Sequence, residues 1–231
     1  SINNYTSDVT FVLKENNDIL KEMVISGTLR LIDKKESPIP IAVYKAQFLN
    51  SVPSPSLVQA TNQITGLRPQ FNCSVCNTGD IHINGMEGAY SMIVIDGMPI
   101  MGGLSTVYGL QGIPTSIIDQ LEVIKGPAST VYGSEAMAGL INVVTKNIDC
   151  VPKLFLDFNI STWGELQTSI VYKLINKQRF KAFSSIDIFN YNNTIDNNDD
   201  GFTDLSLKNR YSIFNKFQFF NKNGDNPLNL T

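Results

Sequence analysis

The stretch that decides the fold runs from Ile118 to Lys146, IDQLEVIKGPASTVYGSEAMAGLINVVTK. It holds two apolar runs rich in β-branched residues, IDQLEVIK and LINVVTK, joined by a segment punctuated with glycine, proline and serine. Such runs read as strands, and the join reads as turns. Gly126 and Pro127 end the first strand with a fixed turn. Gly133 and Gly139 allow positive φ or a close backbone approach.

Working toward the N-terminus, YSMIVIDGMPI (90–100) gives an apolar run, Met92 to Ile95, and then Asp96-Gly97, a tight hairpin signal. DIHING (80–85) is a short strand that sets Ile81 and Ile83 on one face and His82 and Asn84 on the other. NSVPSPS (50–56) is a punctuator that opens a helix. Ser56 is its N-cap, Leu57, Ala60 and Ile64 follow at helical spacing, and Gly66 stops it. A second short helix is expected from Pro114 to Gln120. EMVISGT (22–28) reads as a short extended segment, IPIAVYKAQFL (39–49) stands between it and the punctuator, and Val9 to Leu13 reads as one more short strand. The mixture is α+β.

Toward the C-terminus the pattern changes. KLFLDFNIST, LQTSIVYKLIN, RFKAFSSIDIFNYN and RYSIFNKFQFFN are long strands separated by the turn signals WGE, NKQ and TIDNNDDGFTDLS. In the last strand Tyr211, Ile213, Phe217 and Phe219 share one face, and Ser212, Lys216 and Gln218 the other, interrupted by Phe214. Long, aromatic-rich antiparallel strands suit either an outer-membrane barrel wall or a soluble β-sandwich.

Composition narrows the function classes. Charged residues are 17% of the chain, below the roughly 25% of an average globular protein, which points to a partly non-aqueous surface. The net charge of −3 with scattered lysines and arginines gives no nucleic-acid footprint. No apolar run reaches the ~18 residues of a spanning helix, which leaves strand-spanning architectures open. One histidine and no Ser/His/Asp or Cys/His constellation argue against an enzyme. The chain opens at Ser1 without a leader, so a removed signal peptide or a longer parent is expected.

Across residues 57–146 the chain resembles the plug domain of TonB-dependent outer-membrane receptors. The resemblance is carried by Ile118, Leu121, Glu122, Val123, Gly126, Pro127, Ser129, Tyr132, Gly133, Ala136, Gly139, Ile141, Asn142, Thr145 and Lys146 at the family's spacing. IHINGMEGAYSMIVIDGMPI and LVQATNQITGLRPQ are similar to the segments that precede it. Asp119 stands where the family has Glu, and Asn84 where it has Arg. The resemblance implies an α+β plug over 22–150, after the tail of an N-terminal extension (1–21). Residues 151–231 would then be the first about four antiparallel strands of an incomplete barrel, since the family's barrel has roughly 22. Four strands cannot close a barrel in a bilayer, so a fragment is expected.

The implied function is energised uptake of a scarce nutrient, such as siderophore-iron, haem, cobalamin or another metal complex, with the plug occluding the lumen. The implied partners are TonB, the outer membrane and the small metal-chelate or vitamin ligand. EMVISGT resembles the TonB box, and Glu22, Met23, Val24, Ile25 and Ser26 would pair with a partner's sheet edge through unpaired backbone groups. Glu87, Tyr90, Met101 and Tyr108 fall in loops expected near the ligand.

Two motifs stand beside the family pattern. Cys73 and Cys76 form a C-x2-C that reads as a small disulfide loop in an oxidising periplasm, with Cys150 left over. Zinc would want four ligands, a thioredoxin-like site a helix start, and copper would use Cys73, Cys76, His82 and the nearby methionines. DNNDDGFTD carries Asp196, Asn198, Asp200 and Asp204 at calcium-like spacing, without a twelfth-position Glu. The rival reading is a soluble periplasmic ligand-binding or signalling module, copper-binding in one form, in which the chain after Lys153 closes as a soluble sheet.

Overall fold

The computed structural model describes residues 23–24, 32–37, 39–52, 54, 56–73, 78–100, 110–127, 132–220 and 228–230. The expected strand Val9 to Leu13 lies outside them. In chain order the strands are β1 (Met23–Val24), β2 (Ile32–Asp33), β3 (Ile41–Lys45), β4 (Leu67–Cys73), β5 (Thr78–Ile83), β6 (Ser91–Ile95), β7 (Met98–Pro99), β8 (Ile118–Lys125), β9 (Gly139–Thr145), β10 (Leu154–Ile160), β11 (Leu166–Lys177), β12 (Phe180–Tyr191), β13 (Lys208–Phe219) and β14 (Leu228–Leu230). The short helices are α1 (Ala46–Leu49), α2 (Leu57–Ala60) and α3 (Leu110–Gly112).

The deciding stretch forms the centre of a five-stranded sheet ordered β3-β8-β9-β6-β7. β8 and β9 pair antiparallel, from Ile118↔Thr145 to Lys125↔Gly139, whereas β6 runs parallel to β9. β9 reads as a near-continuous apolar run rather than an alternating one, because it is buried along almost its whole length. One face packs Ile141, Val143, Leu121 and Val123 against α2, α3 and the β4–β5 hairpin. The other packs Leu140 and Ile124 with Met92, Val94 and Val24. Each such apolar side chain, fully buried, contributes ~1.5–3 kcal/mol.

Gly139 is required where it stands. Its φ is +146°, and a Cβ there would lie 2.2 Å from the Ile124 carbonyl oxygen. Asp96 and Gly97 both have positive φ, 50° and 83°, as the two-residue hairpin between β6 and β7 demands. Ser56 caps α2 by accepting from the Gln59 N–H at 3.3 Å. Leu57, Val58, Ala60 and Ile64 are buried.

The second five-stranded sheet, β10-β11-β12-β13-β14, is an antiparallel meander of consecutive strands. Its strands alternate with period two. Leu156, Ile170, Ile186 and Ile213 form one cross-strand row on the outward face. Leu156 is 63% and Ile213 71% exposed. On the inward face Ser169, Asp187 and Ser212 form the matching row, and Val171 and Phe183 join the core of the first sheet. Phe214, the apparent interruption, faces inward and packs against that core beside Phe183.

Three segments differ from or extend the sequence reading. The helix Pro114 to Gln120 is only one 3-10 turn, Thr115–Ile117, because the β-branched run from Ile117 continues straight into β8. IPIAVYKAQFL, left without an assignment by the sequence pattern, forms β3 to Lys45 and α1 from Ala46. Beside the about four C-terminal strands expected, Leu228–Leu230 adds a short β14 next to β13. Among the described residues no helix is long and apolar enough to cross a membrane.

Candidate functional site

The chemistry of the molecule concentrates where the two sheets meet. The Asp96-Gly97 turn points its side chain and backbone at different partners. Asp96 Oδ1 accepts from the Thr145 N–H at 2.8 Å, and Oδ2 accepts from the Thr145 hydroxyl at 2.6 Å. From the wall, β13 sends Lys216 inward. Its Nζ sits 2.9 Å from Asp96 Oδ2 and donates to Thr145 Oγ1 at 2.6 Å. The side chains of Lys216 and Asp96 are only 6% and 8% exposed. A pair this dry holds because each charge answers the other and the hydroxyl bridges both.

Behind the turn, the Gly97 N–H donates to Asn142 Oδ1 at 3.1 Å, and Asn142 Nδ2 donates to Glu122 Oε2 at 3.1 Å. Glu122 and Asn142 lie opposite each other in the β8–β9 register and are fully buried. Gln120 Nε2 donates both to Glu122 Oε1 at 3.0 Å and to the Met23 carbonyl at 2.9 Å. Burial, and then the negative charge of Glu122, push the Tyr132 phenol up to about 12.

The wall has its own inward cluster. Asp187, fully buried, accepts from Arg210 at 2.9 Å, Gln167 at 3.0 Å and Ser169 at 2.6 Å. Lys208 donates to Gln111 of α3, a second tie between wall and first sheet. Near the crossover between the sheets, Lys181 pairs with Asp149 at 2.6 Å.

The sequence-predicted residues fall as follows. Of the box-like segment, Met23 and Val24 are described, and Glu22, Ile25 and Ser26 lie outside the described residues. The segment is extended, as expected, but its backbone is not unpaired. Met23↔Asp33 and Val24↔Ile32 pair antiparallel, and Val24 is fully buried beside Ile41 and Met92. The cause is apolar: a valine in that position gains more from the core than from water.

Glu87 and Tyr90 are exposed. They follow the Asn84-Gly85 turn, at the end of β5 away from the 74–77 connection, and Met101 and Tyr108 lie outside the described residues. Glu87 folds back to share a cavity of about 280 Å³ with Gln70, Asp80, His82 and Ala89. There His82 Nε2 is 3.2 Å from Asp80 Oδ1.

Cys73 ends β4. Cys76 and the expected disulfide lie outside the described residues, and Cys150 is exposed. Met92 is core, packed in the apolar cluster that holds Val24 and Leu140. In the acidic loop, Asp196 accepts from the Asp200 and Gly201 N–H groups at 3.2 and 2.9 Å. Asp204 Oδ2 accepts from the Asn197 backbone and side chain at 3.1 and 2.8 Å. These carboxylates face the loop's own amides. Among the described residues no group of three His, Cys, Asp or Glu side chains has metal-holding geometry.

Sequence reasoning missed the Asp187–Arg210 pair and the role of Lys216. The available signal was a charged residue, Asp187, Arg210 or Lys216, on the strand face opposite the apolar row.

The comparisons with known proteins fit this geometry. The model of the TonB-dependent Receptor Plug Domain matches residues 33–140. The Vitamin B12 transporter BtuB of Vibrio vulnificus is 31% identical over 106 residues, 45% of this chain and 17% of that protein. The Ferric enterobactin receptor of Pseudomonas aeruginosa is 28% identical over 127 residues, 49% of this chain and 17% of that one. This chain thus aligns with about one sixth of each curated relative. Among solved structures, the pyoverdine outer membrane receptor FpvA of Pseudomonas aeruginosa superposes with a TM-score of 0.65 at 14% identity, covering 90% of this chain and 29% of that one. Residues 33–140, nearly half of the chain, thus match the plug domain of TonB-dependent receptors, and the described residues, a buried mixed sheet tied by ionic contacts to an antiparallel wall with an apolar outer face, have the fold of such a plug with adjoining strands of the barrel wall.

Proposed function

We propose that this chain serves energised uptake of a scarce nutrient across the outer membrane, with residues 22–150 acting as the plug that occludes the lumen and residues 151–231 contributing to the wall. The carrying observation is the pairing of opposite faces on one sheet. The outward row Leu156, Ile170, Ile186 and Ile213 suits hydrocarbon, while the inward row Ser169, Asp187 and Ser212 faces the first sheet. A soluble closed sheet after Lys153 would instead bury its apolar row.

The nutrient is a metal chelate or a vitamin. This follows the relatives, a vitamin B12 transporter and a ferric enterobactin receptor. TonB is the proposed partner of the segment Glu22 to Ser26. Its docked, extended Met23–Val24 is already in the conformation that strand addition uses.

The test is uptake of labelled ferric siderophore and of cobalamin by cells carrying the receptor. Uptake of one of them is expected to stop when residues 22–26 are deleted, with surface binding of the nutrient retained. Uptake that persists at the same rate in cells lacking TonB would overturn the reading.

A further inference from the structure

Two sets of contacts meet at the Asp96-Gly97 turn. Through Asp96 the turn holds Lys216 of the wall. Through the Gly97 N–H it holds Asn142, then Glu122, then Gln120, and finally the Met23 carbonyl of β1. Every link along this path, including the Thr145 bridge, measures between 2.6 and 3.1 Å. Its central members, Glu122 and Asn142, are fully buried. Around these two residues a broken link leaves a charge or dipole without its partner, so neighbouring links strengthen or fail together, while the Gln120–Met23 link at the end of the path is exposed.

The path ends on a two-residue strand held by only two register pairs. Met23–Val24 is paired with β2, with Val24 at 0% exposure. The wall end is equally defined, because Lys216 reaches the turn from a strand that is otherwise continuous with the barrel sheet.

We propose that the Asp96-Gly97 turn is a latch coupling the docked Met23–Val24 segment to the barrel wall, with Lys216 as its wall-side positioning residue. The proposal rests on the receptor reading above and adds the route by which a pull on that segment loosens the plug from the wall. Withdrawal of β1 removes the Met23 carbonyl from Gln120, which frees the Gln120 amide to leave Glu122. Glu122 then holds Asn142 less firmly, and the Gly97 side of the turn loses its fixed acceptor. Coupling is reciprocal, so removing the wall contact must in turn loosen β1.

That reciprocity gives the test. In the receptor purified in detergent, carrying Cys150→Ser and Val24→Cys, the rate of maleimide reaction at position 24 is followed by peptide mass spectrometry. Lys216→Met is expected to raise that rate on the order of tenfold, inside the span of measured site-to-site couplings. Gln120→Leu is expected to raise it similarly, the two together no further than either alone, and Lys216→Arg is expected to leave it near the parent value. The heat-dependent gel mobility of the folded barrel is checked for each variant. If Lys216→Met does not fold, Thr145→Val, which removes only the bridging hydroxyl, carries the same expectation.

An unchanged rate at position 24 in a folded Lys216→Met or Thr145→Val receptor overturns the latch, and so do fully additive effects of Lys216→Met and Gln120→Leu. The receptor reading fails separately. TonB-independent uptake would sink that reading without touching the labelling result, and a flat labelling result would sink the latch without touching TonB-dependent uptake.

Discussion

The two five-stranded sheets are built from similar residues and solve opposite problems. The plug sheet is covered on both faces, so β9 is apolar on successive positions and its few polar groups, Glu122 and Asn142, are bonded to each other. The wall sheet is covered on one face only, so its strands alternate, and the uncovered face is the apolar one. In water that arrangement would be inverted. The difference lies in the solvent each face meets: lipid rewards exposed isoleucine, and a closed interior tolerates a carboxylate only with its donors in place.

The sharpest way to break this comparison is at Asp187. Asp187→Ala would leave Arg210 facing the interior without its carboxylate and is expected to destabilise the wall by roughly 3–5 kcal/mol. Urea unfolding in detergent measures it, and a loss below about 1 kcal/mol would mean that this face is wet. Next, Gly139→Ala forces a Cβ against the Ile124 carbonyl at an unfavourable φ, and should cost about 3 kcal/mol. The same unfolding assay reads it.

Ile213→Arg tests the outward face. It should destabilise the inserted protein by roughly 2–4 kcal/mol if the residue sits at mid-membrane, and by little in a soluble sheet. Smaller still, Ser56→Ala removes the cap of α2 and should cost about 1 kcal/mol.

The gentlest probe is pH. An unfolded tyrosine titrates near pH 10, whereas Tyr132 in the fold is pushed to about 12 by burial and by Glu122. Between these values the unfolded chain has lost a proton that the folded protein keeps. The stability Tyr132 contributes is therefore fully present below about pH 10 and is lost as pH rises toward 12. Tyr132→Phe should lower that slope in urea titrations, and an unchanged slope would place the phenol in water.

Much of the fold was legible because it is local. Asp96-Gly97 announces its turn, Ser56 its helix start, and the long C-terminal strands carry their period in plain view. Where two local signals competed, reading failed: the helix expected at Pro114 lost to the β-branched run that starts β8. The candidate site was less legible for a different reason. Lys216 finds Asp96 from a distant part of the sequence, and Asp187 finds Arg210 through a register that only the paired strands define. The box-like segment could be seen as extended, but its docking depends on a cavity made by β3, β6, β8 and β9, which no stretch of sequence displays alone.

The central claim is that one sheet separates lipid from plug. Nitroxide labels at single cysteines in the membrane-inserted receptor test it directly, through collision with oxygen, which concentrates in lipid, and with a water-soluble nickel chelate. Labels replacing Leu156, Ile186 and Ile213 are expected to collide with oxygen and to be shielded from nickel, while labels replacing Ser169 and Ser212 are expected to be shielded from lipid. Nickel access equal to that of a free aqueous label at Leu156, Ile186 and Ile213 would contradict it.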